Sequence, residues 1–282
     1  MRILHLDAGK EMRGGQWQVL RLIEGLAARG VESTLLARAG APLYLGARKQ
    51  GWRVQPLGIT RLFSSLRGHD LIHAHDSRSH TLGALVGSRP LVVARRVAFP
   101  VTSPWKYGRA RLYLAVSEFV KGVLVAGGVP ADRVVVVYDG VPALDVAHGS
   151  EILGLEKDTA ILPALGIKLI TNLETDLARA RMLVYLTESE GLGSGALLAM
   201  SAAIPVIASN VGGLREIIHH GETGLLVANE PAAIRDAIRQ LQEDPALSRR
   251  IGAAARHTVL ERFSIARMVD RTLESYRQVL HS

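Results

Sequence analysis

The chain contains no cysteine. Disulfide bridges and cysteine-based zinc sites are therefore excluded, and the composition fits a reducing cytoplasm. Aromatic residues make up only 5%, and no stacking platform alternates with the basic side chains, which disfavours nucleic acid as a partner. No apolar run is long. The longest, around residues 196–208, is short of the roughly 18 residues needed to span a bilayer and is broken by Pro205. No signal peptide is apparent, because the short apolar run after Arg2 soon meets Asp7 and Lys10. The expected location is cytoplasmic, with peripheral contact at the inner membrane face. A G-x-G-x-x-G turn after the first strand is also missing. Gly9 and Gly14-Gly15 have the wrong spacing, which disfavours a dinucleotide oxidoreductase.

What is present suffices for one large domain or two smaller ones, with 282 residues of which 48% are hydrophobic. The charge is uneven. Residues 1–142 carry 20 Lys and Arg against 9 Asp and Glu, whereas residues 143–282 carry 14 against 17. A basic first half suits an anionic acceptor or lipid, although a merely solvated surface would look the same. Apolar strands are expected at 2–6, 33–37, 52–56, 71–75, 91–94, 112–116 and 134–137. Helices are expected between them at 16–29, 42–50, 79–86 and 118–126. This alternation predicts an α/β fold with a parallel, doubly wound sheet. Asp139-Gly140-Val141-Pro142 breaks the pattern, and the tail reads as helices at 231–243, 245–262 and 264–281.

The most informative stretch is YLTESEGLGSGALLAMSAAIPVIASNVGGLREIIHHGETGLLV, residues 185–227. A strand runs into the glycine-rich turn Glu190-Gly191-Leu192-Gly193-Ser194-Gly195, which opens a helix over 196–203. Backbone N–H groups at such a helix start attract phosphate. Glu190 at its edge would repel phosphate and is better suited to sugar hydroxyls. Together these features suggest a nucleotide-sugar.

The same stretch resembles the donor-binding half of family 4 glycosyltransferases, retaining enzymes of the GT-B fold. Four ordered signals carry the resemblance: Glu190-Gly191-Leu192-Gly193, Pro205–Ser209, Gly212-Gly213-Leu214-Arg215-Glu216 and Gly221–Val227. The resemblance implies two Rossmann-like doubly wound domains, an acceptor domain over 1–142 and a donor domain over 143–282 with C-terminal helices. It also implies that the last helix crosses back to the first domain. The donor domain reads as shortened, because only 40 residues separate Ala143 from Met182, where a single βαβ unit takes about 30 or more. The family's Gly-Arg and Lys-Gly elements, whose cations hold the donor diphosphate, are not found there. Lys157 and Lys168 are the only lysines in that stretch, and neither stands in a matching context. The second acid of the family pair falls on Leu198.

The resemblance further implies a transferase that moves a sugar from a nucleotide diphosphate to an acceptor hydroxyl, in cell-envelope glycan or glycolipid synthesis. Glu190 and His75 are the candidate catalytic residues. Gly14, Gly15, Gly191, Gly193, Ser194 and Gly195 are the candidate donor-binding ones. No cofactor and no metal are expected, the nucleotide-sugar being a substrate. His73 and His75 with Asp76 and His80 also permit a metal reading; the family resemblance favours a role for His75 beside the transferred sugar. Arg95-Arg96, and Trp105-Lys106-Tyr107 with Arg109 and Arg111, are candidates for the acceptor or a membrane surface. Glu216 reads as a helix cap and His219-His220 as surface. The competing reading is a non-catalytic remnant that binds a sugar or a partner.

Overall fold

The computed structural model describes residues 1–281, apart from the side chain of Glu174. The chain divides into two compact units, Met1–Gly140 together with the chain from Ile265 onward, and Val141–Ser264.

The first unit alternates β1 (Arg2–Asp7), α1 (Gly14–Ala27), β2 (Glu32–Ala37), α2 (Pro42–Lys49), β3 (Val54–Pro56), α3 (Ile59–Leu66), β4 (Leu71–Ala74), α4 (Ser77–Val86), β5 (Leu91–Arg95), α5 (Pro104–Gly108), β6 (Leu112–Ala115), α6 (Glu118–Ala126) and β7 (Val134–Val136). The strands form a seven-stranded sheet in the order β3-β2-β1-β4-β5-β6-β7, and each neighbouring pair is parallel. Buried on both faces, the strands read as near-continuous apolar runs, which is why they were visible in sequence. Two helices were not. The α3 helix sets Ile59, Leu62, Phe63 and Leu66 on one stripe at i, i+3, i+4 and i+7, but it is only eight residues long and buries only Leu62 and Leu66, leaving Ile59 and Phe63 exposed.

The second unit contains β8 (Glu151–Glu156), α7 (Ile161–Ala164), β9 (Lys168–Leu169), α8 (Leu173–Asp176), β10 (Ala180–Leu186), α9 (Ser194–Ser201), β11 (Val206–Ser209), α10 (Leu214–Ile217), β12 (Leu225–Val227), α11 (Pro231–Glu243) and α12 (Pro245–Arg262). Its sheet has five strands in the order β12-β11-β10-β8-β9, again parallel. The short stretch before β10 thus still supplies two strands, β8 and β9, joined by one-turn helices. Compression is possible because Gly154 has no side chain. A Cβ there would stand 2.7 Å from Leu162 and about 3.1–3.2 Å from Leu169 and Ile167, the residues that fold down onto β8.

The final helix, α13 (Ile265–His281), corrects the expected 143–282 domain. It belongs to the first unit, and the boundary falls at Gly140/Val141. The reason is packing. Val269, Leu273 and Tyr276 of α13 join Ile3, Leu22, Leu26 and Leu71 in one core cluster. Gly25 of α1 lets Val269 approach so closely that a Cβ would lie 2.4 Å from its methyl group. Arg29 adds an ion pair to Asp270 at 2.6 Å, partly exposed and so worth little.

Candidate functional site

In the second unit β10 is apolar apart from Arg181 and almost fully buried up to Leu186. Thr187 then turns the chain. Its N–H donates to Ser209 Oγ at 2.9 Å, Ser209 donates to Asn229 Oδ1, and Asn229 Nδ2 donates to the Thr187 carbonyl at 3.0 Å. This ring ties together the carboxyl ends of β10, β11 and β12, where ligands of doubly wound sheets bind.

Glu190 sits just beyond. One carboxylate oxygen accepts from Lys157 Nζ at 2.8 Å and from the Tyr185 hydroxyl, while the other lies 3.1 Å from the Gly191 N–H. The Glu190 side chain is only 13% exposed, so these donors take the place of water and fix its direction. Tyr185 is pushed well above its ordinary pKa by burial first, then by the Glu190 charge and hydrogen bond. It remains a neutral donor to the carboxylate. Lys157 also lies over the Tyr185 ring, 5.5 Å from its centroid.

Lys157 is the functional candidate that sequence reasoning passed over. It follows β8, which lies between β10 and β9 in the sheet, and its N–H donates to the Leu186 carbonyl at 2.9 Å. Nothing local in the sequence gives that pairing. The signal available was a lone lysine immediately after the first strand of the unit.

The glycines of the turn are set by close contacts. Gly193 has φ +105, and a Cβ would meet Leu214 at 2.6 Å; at Gly213 a Cβ would fall 2.1 Å from the Gly191 carbonyl oxygen. The Gly213 N–H donates to the Glu190 carbonyl at 3.0 Å, so the second glycine pair clamps the first turn. Gly191 and Gly193 are buried, whereas Ser194 and Gly195 are partly exposed at the start of α9. That helix start carries the positive end of the dipole. Leu198 is 4% exposed and belongs to the core. Glu216 lies in the first turn of α10, which has no side-chain cap hydrogen bond; its charge faces the positive end of the helix dipole.

In the first unit Gly14 and Gly15 open α1, where the Gln16 side chain accepts from the Arg13 N–H at 3.3 Å and starts the helix two residues early. A Cβ on Gly15 would meet only Arg96, at 3.7 Å. Asp7 at the end of β1 accepts from the Gly9 N–H at 2.8 Å and from Gln16. Burial first, then the Asp76 charge, raises its pKa to about 6. Asp76 caps α4 through the Arg78 and Ser79 N–H groups.

His75 lies just past β4 and is 6% exposed. Its Nε2 is 3.0 Å from His5 Nδ1, and burial drives its pKa well below the ordinary value. His80 packs edge-on against Tyr107 and Tyr113. Arg96 pairs with Asp139 at 3.1 Å, and Arg95 donates to the Phe99 carbonyl. Trp105 and Phe99 are 48% and 70% exposed, Tyr107 is buried, and Arg109 lies over the Trp105 ring. Among the described residues, no helix is long and apolar enough to cross a membrane.

Known proteins resemble this chain in sequence and in fold. A family model for glycosyl transferases group 1 matches residues 151–258, and one for Glycosyltransferase Family 4 matches residues 12–143. The alpha-maltose-1-phosphate synthase of Mycolicibacterium smegmatis is 40% identical over 110 residues, which is 36% of this chain and 28% of that protein. The N-acetyl-alpha-D-glucosaminyl L-malate synthase of Bacillus anthracis is 35% identical over 105 residues, 37% of this chain and 28% of that protein. The matches therefore span less than a third of these relatives' own length. Among solved structures, Anabaena Alr3699/HepE in complex with UDP-glucose superposes with a TM-score of 0.84 at 17% identity, over 99% of this chain and 100% of that one. At that identity the likeness shows the fold. With one family model on each unit and a GT-B neighbour along its whole length, the chain belongs to the family 4 glycosyltransferases of the GT-B fold.

Proposed function

We propose that this protein transfers a sugar from a nucleotide-sugar to an acceptor hydroxyl, with retention of configuration, in the making of a cell-envelope glycan or glycolipid. The observation that carries the reading is Glu190, held by Tyr185 and Lys157 beside the glycine-rich turn. A fixed, partly buried carboxylate is a good acceptor for the donor sugar's hydroxyls. The start of α9, with Ser194 and Gly195 partly exposed, suits the diphosphate. Lys157 adds a cation near both and stands in for those missing from the sequence pattern. Positive groups set beside a leaving diphosphate lower the barrier to its departure without a metal.

The acceptor is assigned to the basic first unit, where Arg96 lies beside Gly15; Gly14 and Gly15 stay assigned to the donor by family resemblance. Exposed Phe99 and Trp105 with Arg109 suit an anionic bilayer surface at the inner membrane face. Vesicle binding that weakens steeply with salt supports that contact, and equal binding to neutral and anionic vesicles contradicts it. His75 is assigned to the reacting sugar by family resemblance. Relatives and neighbours support the donor class, since their names include UDP-glucose complexes and sugar-transfer products.

The test is a transfer assay on Glu190→Gln, which keeps size and removes charge. Loss of at least about tenfold in turnover, or about 1.4 kcal/mol, is expected. Unchanged turnover removes Glu190 from the site. The second reading, binding without transfer, is favoured by buried Leu198 in place of the family's second acid. It gains if the wild type binds a nucleotide-sugar and never transfers it.

A further inference from the structure

Three imidazoles meet inside the first unit. His5 and His73 are register partners on β1 and β4, and His75 lies two residues beyond His73 on the same face. They are 0%, 1% and 6% exposed. The His73 and His75 ring centroids are 4.0 Å apart, and those of His5 and His75 are 5.3 Å apart. One nitrogen from each ring lies within 4.8 Å of the others. In the sequence His73 and His75 stand near Asp76 and His80, with nothing to bring His5 beside them. The third ring comes from the neighbouring strand.

We propose that His5, His73 and His75 form a binding site for a divalent cation of the zinc class. The outer nitrogens of two rings are already engaged, His5 Nε2 at 3.2 Å from Ser33 Oγ and His73 Nδ1 at 2.6 Å from the Tyr276 hydroxyl. With protons on those nitrogens, His5 Nδ1 and His73 Nε2 turn lone pairs inward. Metal-bound histidines are oriented in this way by an outer hydrogen bond. The inner His73 Nε2 has no hydrogen-bond partner although fully buried, an arrangement that native interiors avoid. A cation there satisfies it, together with His5 Nδ1 and His75 Nε2.

The surroundings agree. All three rings are shielded from water. His73 also lines a cavity of about 20 Å³ that reaches Thr272, Arg96 and Asp139. That volume has room for about one water, the fourth ligand that a zinc ion on three nitrogens takes. The nearby Arg96 charge is offset by Asp139. An all-imidazole set selects zinc, cobalt or nickel over magnesium or calcium. The proposal does not rest on sugar transfer; His75 Nδ1, also buried without a hydrogen-bond partner, then carries the ring proton.

The test uses the full chain, stripped with a chelator and titrated with Co²⁺ and then Zn²⁺. One equivalent of Co²⁺ is expected to give the visible absorption of a tetrahedral nitrogen-ligated ion, displaced by Zn²⁺. Zn²⁺ at about 100 times its Kd should raise the melting temperature by at least about 5 °C. His5→Leu should abolish both signals, and the surface double variant His219→Ala/His220→Ala should keep them. If His5→Leu does not fold, Ser33→Ala replaces it and should weaken cobalt binding at least about tenfold. The proposal is overturned by no stoichiometric absorption in the wild type, by absorption that survives His5→Leu, by its loss in the surface variant, or by no effect of Ser33→Ala. In those cases the three rings simply pack.

Discussion

Replacing Leu198 by Glu installs the acid that the family pattern carries on this helix, and it tests how the second unit is built. Leu198 is 4% exposed, and Ala196, Leu197, Ala199, Met200 and Ser201 of α9 are also buried. A helix buried around its whole circumference has no polar side to which a carboxylate can turn. Removing the leucine forfeits about 1.5–3 kcal/mol of apolar burial. Burying a carboxyl group without a partner costs about 1–3 kcal/mol more by mutational measures. The expected loss is therefore about 3–6 kcal/mol, a large part of the 5–15 kcal/mol that typically holds a domain folded. At about 2–4 °C per kcal/mol for a protein of this size, the melting temperature should fall by roughly 6 °C or more. Circular dichroism melting gives the stability, and calorimetric titration with a nucleotide-sugar gives the donor affinity. An unchanged melting temperature with tighter donor binding would falsify this reasoning, because it requires Leu198 to face the ligand.

Two further substitutions probe the site and the first unit. Gly213→Ala places a methyl 2.1 Å from the Gly191 carbonyl oxygen with no change in backbone preference, since φ there is −69; it should cost about 1–3 kcal/mol and weaken donor binding by moving Glu190, and a variant with wild-type melting and affinity would show that the clamp is unimportant. His80 has its pKa lowered to about 4, by burial first and then by the Lys106 charge, so its contribution is present above 6.5 and is lost as the pH falls towards 4. Urea unfolding at pH 7.5 and pH 4.5 should therefore show His80→Gln losing less stability on acidification than the wild type, by on the order of 3 kcal/mol at most. Equal losses in both proteins would assign the acid sensitivity elsewhere.

The sequence revealed the parts whose signals are local. The strands of the first unit were visible because both faces are buried and the runs are apolar. Two of the last three helices, α11 and α12, were visible because Pro231 and Pro245 stand at their first positions. The turn at Glu190 was visible as a cluster of glycines. What stayed hidden was pairing across space. The two-residue strand β9 is too short to carry a period, and β8 holds Gly154 where a strand-former would be expected. Lys157 reaches Glu190, 33 residues away, only because β8 lies beside β10. His5 joins His73 only through the β1–β4 register. The destination of α13 likewise depended on its fit against α1 at Gly25, which hydrophobic spacing alone does not specify.

The central claim is that the second unit holds a nucleotide-sugar at Glu190 and the start of α9. The most direct measurement is calorimetric titration of the wild type and Glu190→Gln with UDP-, GDP- and ADP-sugars and with the corresponding nucleoside diphosphates. The account predicts that one sugar nucleotide binds the wild type, and that Glu190→Gln loses about 1.5–3 kcal/mol of affinity for it, the worth of a hydrogen bond to a charged group. The bare diphosphate should bind both proteins alike, because the carboxylate grips only the sugar. Equal binding of the sugar nucleotide to both proteins, or no binding of any of them to the wild type, would contradict it.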